Sequence, residues 1–280
     1  MPSGHRLGIV ITGGSRGLGF ALAKGFLAHG DRVVICARDG ARVQDAVRQL
    51  RQDIGSADIH GIGFDVRDRG DSARFKAFVL GRLGRVDRWI NNAGTAGERQ
   101  APLWALDGVD MLETTTTNLF GALTMSSLAV QIMREQPPSK TPVYHIFNMG
   151  FSDLGALLSR SPIPHKASKI GVAVVTRSLR AELAAHGMSS IGVHALSPGL
   201  VKTDLLRRVT TPDAAGFVEI AAERPEAVAQ SLVPKIRHVR GRGSSIRHRS
   251  LPVMIARMLF RLSLRGARGL ANARRLKPRE

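Results

Sequence analysis

Thr12-Gly13-Gly14-Ser15-Arg16-Gly17-Leu18-Gly19 follows directly on an apolar run at 7–12 and opens an amphipathic stretch at 17–30. Glycines at 13, 17 and 19 permit a tight turn, close approach of backbone to a pyrophosphate, and close packing of helix on strand. The helix that follows aims its free N–H groups at the same place. A glycine-rich turn alone is a weak signal, but strand, turn and helix here come in the order that phosphate binding needs. The alternative is a merely tight turn. Outward from this stretch, runs at 32–37, 59–65, 86–91, 143–149 and 191–197 are rich in Val and Ile and nearly continuous, as strands buried on both faces are. Helical patterns at 40–54, 70–84, 107–135 and 165–187 separate them. The repeated β-α-β order predicts an α/β fold: a Rossmann-like, doubly wound parallel sheet with helices on both faces.

The size suits one such sheet. The chain has 280 residues, 43% of them hydrophobic, enough for a sizeable core. Its formal net charge of +19 suggests nucleic acid, anionic lipid or a phosphorylated cofactor. The charge is unevenly placed. Residues 235–280 carry fourteen Lys or Arg and one acid, about two thirds of the whole excess. A boundary is therefore expected near 234, with a folded domain at 1–234 and a basic helical extension at 235–280. Within 253–270, Arg257, Arg261, Arg265 and Arg268 recur on one helical face, with Met254, Ile255, Met258, Leu259 and Leu262 largely on another. That pattern fits either peripheral contact with an anionic membrane or a docked helix with a solvated basic face. Phe260 is the tail's one aromatic, and no nucleic-acid module is visible, so nucleic acid is not expected. The single Cys36 excludes an internal disulfide. No metal site is expected. No apolar run reaches the roughly 18 residues of a membrane span, and no signal or transit segment is visible.

The second strand ends Ile35-Cys36-Ala37-Arg38 and offers no acid for a ribose 2′-hydroxyl. A guanidinium at Arg38 suits a 2′-phosphate instead, and Arg16 in the glycine turn could flank it. Together they favour NADP over NAD, unless both are simply solvated. Asp65 is placed to accept from an adenine amino group, or else ends its strand in an ordinary turn.

Asn91-Asn92-Ala93-Gly94 follows the fourth strand, Asn118 lies in the next long helix, and Ser197-Pro198-Gly199 follows the sixth strand. His165-Lys166-Ala167-Ser168-Lys169 opens the helix between the fifth and sixth strands. With the glycine turn, this ordered set resembles the short-chain dehydrogenase/reductase family over residues 6–205. A narrower resemblance, to the chlorophyll(ide) b reductases, rests on His145-Ile146-Phe147-Asn148-Met149, on Trp89-Ile90-Asn91-Asn92-Ala93-Gly94-Thr95, on 193–206 and on 225–234. The resemblance implies NADPH held by Gly13, Ser15, Arg16, Gly17, Leu18, Gly19, Arg38, Asp65, Val66, Asn92, Ala93, Gly94, Lys169, Pro198, Gly199 and Thr203. It also implies a carbonyl substrate, the C7 formyl group of a chlorophyll b-type tetrapyrrole, and a homo- or hetero-oligomer. The compartment would be a plastid, at the thylakoid, for a chain from a green alga or plant, and otherwise the cytoplasm.

Carried over by position, the resemblance makes Lys169 and Asn118 match the family's active-site lysine and asparagine. It puts Ser152 in place of the carbonyl-polarising serine, and His165 where the family has its proton-donating tyrosine. Ser152 is alternatively a loop serine capping a turn, and His165 a helix-start residue without a role. Residues four apart on a helix share a face. A lysine there lowers a phenol from about 10 toward neutrality, which is useful, but lowers an imidazolium from about 6.5, which is not. A strongly weakened reductase, or an NADP-binding scaffold, is the expected consequence.

Overall fold

The computed structural model of the protein describes residues 6–150 and 161–248. Seven strands, β1 (Gly8–Thr12), β2 (Arg32–Ala37), β3 (Ile59–Gly63), β4 (Arg88–Asn91), β5 (Tyr144–Met149), β6 (Ile191–Ser197) and β7 (Ser245–Arg247), form one parallel sheet. Their order is β3-β2-β1-β4-β5-β6-β7. The connections reverse direction between β1 and β4, so a crevice opens beyond the carboxyl ends of those two strands.

Alternation along each strand feeds two separate cores. Ile9, Ile11, Val33, Ile35 and Phe147 pack against α1 (Gly17–Ala28), α2 (Gly40–Ile54) and the helix Pro225–Arg237. Val10, Val34, Trp89, Ile146 and Val193 face α3 (Ser72–Leu83) and α5 (Gly121–Arg134) on the other side. The remaining helices are α4 (Gly108–Thr115), α6 (Ile163–Ala185), α7 (Asp204–Arg208), α8 (Pro212–Ala221) and α9, the helix Pro225–Arg237. The doubly wound expectation holds.

Several boundaries differ from those read in the sequence. The stretch 107–135 is not one regular helix. Thr115 and Thr116 hydroxyls donate back to the carbonyls of Met111 and Leu112, at 2.8 and 2.6 Å, and Thr116–Phe120 form a π-turn. Threonines that back-bond in this way loosen the regular ladder. β4 begins at Arg88 rather than 86 because the Gln136 side-chain amide takes both backbone groups of Val86. β3 ends at Gly63 because Asp65 accepts from the Arg67 backbone N–H and turns the chain. The boundary at 234 falls inside α9, and β7 adds a seventh strand beyond it, paired to β6 through Ala195, Leu196 and Ser197. The sheet thus extends to Arg247. Ser152 and the tail 253–270 lie outside the described residues.

Two buried polar arrangements hold the base of the sheet. The Arg88 guanidinium donates to the carbonyls of Ile236 and Arg237, at 3.0 and 2.8 Å, and so satisfies the open end of α9. On β5 and β6, His145 Nδ1 and His194 Nε2 lie 2.9 Å apart, and His194 Nδ1 lies 2.9 Å from the Ser244 hydroxyl. His145 also bonds to the backbone of Pro142, which as a proline can only accept. One neutral tautomer per ring then satisfies the whole run from Ser244 to Pro142. Burial first, then the charge of Arg88, holds both rings below the usual histidine range.

Candidate active site

The glycine turn is fixed from behind. Gly13 and Gly14 N–H groups donate to the Cys36 carbonyl at the end of β2, at 2.8 and 3.2 Å. Thr12 Oγ1 accepts from the N–H groups of Asn92 and Ala93, at 3.1 and 3.0 Å. Asn92 in turn donates its side-chain amide to the carbonyls of Thr12 and Gly13. The turn after β1 and the turn after β4 are therefore one clamped unit. Gly13 has φ +66°, which an L side chain rarely adopts. A methyl at Gly19 would lie 2.3 Å from the Gly13 carbonyl oxygen, so only glycine lets α1 begin this close to β1. Ser15 stands half-buried on the turn, and Arg16 precedes α1 without a side-chain cap. The Leu18 side chain belongs to the core, which leaves only its backbone toward a ligand. From the far side, the segment after β6 turns at Gly199, beside Pro198, with φ +76°. Thr203 caps α7 and rests over Gly17, and Asp204 lies 3.7 Å from Arg16.

The cleft beside this unit is lined by Thr12, Val66, Ala93, Asn118, Met149 and Lys169. Asn118 sits on the π-turn, and π-turns within helices often mark functional positions. Its side chain grips Thr95 from both directions, accepting from its N–H and donating to its carbonyl, each at 2.8 Å. The same amide donates to Ser168 Oγ at 3.0 Å, and that hydroxyl donates to the His165 carbonyl at 2.8 Å. Ser168 thus joins Asn118 to the first turn of α6. Lys169 donates to the Met149 carbonyl at the end of β5, at 3.1 Å. A methyl at Gly94 would lie 3.3 Å from Lys169 Nζ, so the loop after β4 abuts the ammonium. Burial lowers Lys169 to about 8, and it stays charged at neutral pH.

His165, at the third position of α6, is 6% exposed. Burial, and then the charge of Lys169, push its imidazolium down to about 3. The positive end of the α6 dipole acts in the same direction. The ring is neutral near pH 7.

At the other end of the cleft the expected nucleotide residues are already engaged. Arg38 donates to Glu113 on α4 at 2.5 Å. Both Asp65 oxygens accept from the Arg67 guanidinium, at 2.6 to 3.0 Å, which lowers the Asp65 pKa against the cost of its burial. Arg67, Glu113, Thr12 and Ser168 had no assigned role in the sequence. Thr12 was readable as the strand-end residue of the glycine stretch, whereas nothing in sequence spacing links Arg38 to Glu113, 75 positions on. The structure brings Asn118, Lys169 and His165 together beside the glycine turn, with Arg38, Asp65 and Val66 toward the end of β2 and β3.

Residues 8–214 match the family described as short chain dehydrogenase. The chain is 39% identical over 236 residues to chlorophyll(ide) b reductase NOL, chloroplastic, of Oryza sativa subsp. japonica, covering 82% of this chain and 66% of that one. It is 38% identical over 241 residues to the protein of the same name in Arabidopsis thaliana, covering 84% of this chain and 67% of that one. The chain spans about two thirds of the length of these relatives. A solved structure, the 3-oxoacyl-(acyl-carrier protein) reductase of Brucella melitensis, shares the fold with TM-score 0.69 at 21% identity, over 88% of this chain and 96% of that one.

Proposed function

This chain belongs to the short-chain dehydrogenase family and is an oxidoreductase acting between alcohol and carbonyl with a nicotinamide cofactor; from that premise we propose that it is an NADPH-dependent reductase of a chlorophyll b-type formyl group, weakened at its proton donor. The observation that carries the proposal is the clamped glycine turn beside Asn118 and a half-buried, charged Lys169, with a neutral His165 one helical turn before that lysine.

The residues fit the cofactor. Backbone at Gly13, Ser15, Gly17, Leu18 and Gly19 and the start of α1 would hold the pyrophosphate. Asn92, Ala93, Gly94, Val66 and the Pro198, Gly199 and Thr203 segment would close round it. Arg16 and Arg38 would meet the 2′-phosphate, and Asp65 the adenine. When bound, the reduced nicotinamide supplies a hydride. Lys169 would hold the ribose while bonded to Met149. Asn118 keeps the Thr95 loop in register with α6 through Ser168. Ser152 would polarise the carbonyl. The proton for the carbonyl oxygen falls to His165, which holds one only in a small fraction of molecules near pH 7.

A second reading, an NADP-binding scaffold for an active relative, is favoured by the same neutral His165. The chlorophyll b substrate and the plastid setting rest on the two relatives' names. No helix among the described residues is long and apolar enough to cross a membrane. Membrane contact would fall to the basic stretch 253–270, and deleting 249–280 would then abolish sedimentation with anionic vesicles. Retained sedimentation would dismiss that role.

The chain is also proposed to be oligomeric. Val109, Leu112, Phe120 and Leu123 along α4, the π-turn and α5, with Ile170 and Val174 on the adjacent α6, present an exposed apolar face. Leu112→Arg, at a position 63% exposed, is expected to reduce the mass in light scattering to that of a monomer without loss of helix. A wild-type chain already monomeric at micromolar concentration would dispose of the idea.

A further inference from the structure

Three cations surround the adenosine end of the cleft, two with an acid of their own and Arg16 beside an Asp204 that also pairs with Arg207. Arg16 lies 3.7 Å from Asp204, Arg38 lies 2.5 Å from Glu113, and Arg67 lies 2.6 Å from Asp65. Asp39, next to Arg38, is committed elsewhere: it caps α2 by accepting from the Arg42 N–H and pairs with the Arg42 guanidinium. The pairs are interleaved, since Glu113 also acts on Arg67 and Arg38 on Asp65. With Arg207 the set has four guanidiniums on three carboxylates, but at its centre Arg38 and Arg67 are matched one for one by Glu113 and Asp65. That suits a ribose with a free 2′-hydroxyl, whereas a 2′-phosphate brings close to two negative charges near pH 7.

Resting on the cofactor reading above, we propose that Glu113 is a specificity-determining residue that competes with the 2′-phosphate of the dinucleotide for Arg38. To accept the phosphate, the Arg38 guanidinium must leave a carboxylate that stays nearby and repels the newcomer. Both partners are solvated, at 54% and 38% exposure, so the exchange is reachable without unfolding anything. Glu113 stands on α4 with its carboxylate on Arg38, and it is none of the residues assigned above to the pyrophosphate or the nicotinamide. Asp65, held through both oxygens and the Arg67 backbone N–H, is the acid less able to yield. Glu113 therefore sets how strongly the chain prefers one dinucleotide over the other, and the preference is weaker than Arg38 alone would give.

Isothermal titration of the full chain with NADP⁺ and with NAD⁺ tests this in the wild type, Glu113→Gln, Arg38→Ala and the double variant. Glu113→Gln is expected to tighten NADP⁺ about five- to tenfold at low salt, the worth of one exposed pair plus a removed repulsion, with NAD⁺ changed by less than about twofold. The gain shrinks in about 0.5 M salt and falls by at least half in the Arg38→Ala background. Unchanged or weaker NADP⁺ binding by Glu113→Gln, or equal gains for both dinucleotides, overturns the proposal. A wild type that prefers NAD⁺, with the gain still confined to NADP⁺, supports it while refuting the NADPH reading. Preference for NADP⁺ with no gain does the reverse.

Discussion

His165→Tyr is expected to raise turnover of an aldehyde by about 10²-fold or more near neutral pH. The substitution puts a phenol one helical turn before Lys169, where the ammonium stabilises phenolate and draws the phenol down from about 10 toward neutral pH. Burial, with the same ammonium, holds the present imidazolium near 3, so almost none of it is charged when the assay is run. The wild type has its own signature. Well above that pKa the protonated fraction grows tenfold for each unit of acidification, so wild-type turnover should climb by about that factor per unit as pH falls from about 8 to 6. In His165→Tyr the steep rise toward acid should vanish. Initial rates across that range check both statements. A gain below about tenfold, with cofactor still bound, would favour the scaffold reading.

Acid stability is the second large effect. His145, His165 and His194 are buried at 1%, 6% and 0% exposure and kept neutral in the fold. Unfolded, each titrates near 6.5. The unfolded chain therefore binds more protons below that value, and stability falls as pH falls. The sign is fixed by the lowered folded values. The contribution is complete above about pH 6.5 and is lost progressively as the pH drops toward the folded values. At about pH 5 the cost is about 2 kcal/mol for each ring, about 6 kcal/mol for three. A domain has only about 5–15 kcal/mol to lose. Asp65, Asp71 and Asp204, whose carboxyls are lowered, act in a separate window below about pH 4. Urea unfolding at about pH 7, 6 and 5 is expected to show midpoints falling steeply below 6.5, with an unchanged denaturant slope. A midpoint constant over that range would mean that the rings are hydrated or already charged in the fold.

These effects also mark what the sequence could and could not reveal. The strands were legible because 7–12, 32–37 and 191–197 are nearly continuous apolar runs rich in Val and Ile. Two-sided burial demands such runs, and the observed order agrees. β7 was not legible, since three residues with one buried Ile246 carry no period. The break in 107–135 depends on which carbonyls the threonines of 115–116 choose. The clamp between the two turns was half visible. Asn92 stood in a recognisable motif, but its hold on the Thr12 and Gly13 carbonyls is a fact of three dimensions. His165 was legible by its place four residues before Lys169 on one helical face. How far its charge is suppressed depends on burial, which no spacing reports. Arg38 was read as a 2′-phosphate ligand or a solvated arginine, and its pairing with Glu113 was not legible, because that partner comes from α4, 75 positions on. Arg88, His145 and His194 would each argue against a buried strand by type. Each is there because backbone carbonyls or another ring satisfy it.

The central claim, a retained hydride-transfer site with an impaired proton donor, is tested most directly by isotope transfer. NADPH carrying deuterium at its transferable position is incubated with chlorophyllide b and either the wild type or His165→Tyr, and the product is analysed by mass spectrometry. One deuterium in the C7 hydroxymethyl group is expected from both, slowly from the wild type and about 10²-fold faster from the variant. Bound NADP⁺ with no deuterium in the product of either protein, anywhere between about pH 5.5 and 8, where a histidine or a tyrosine acid would have acted, would contradict it.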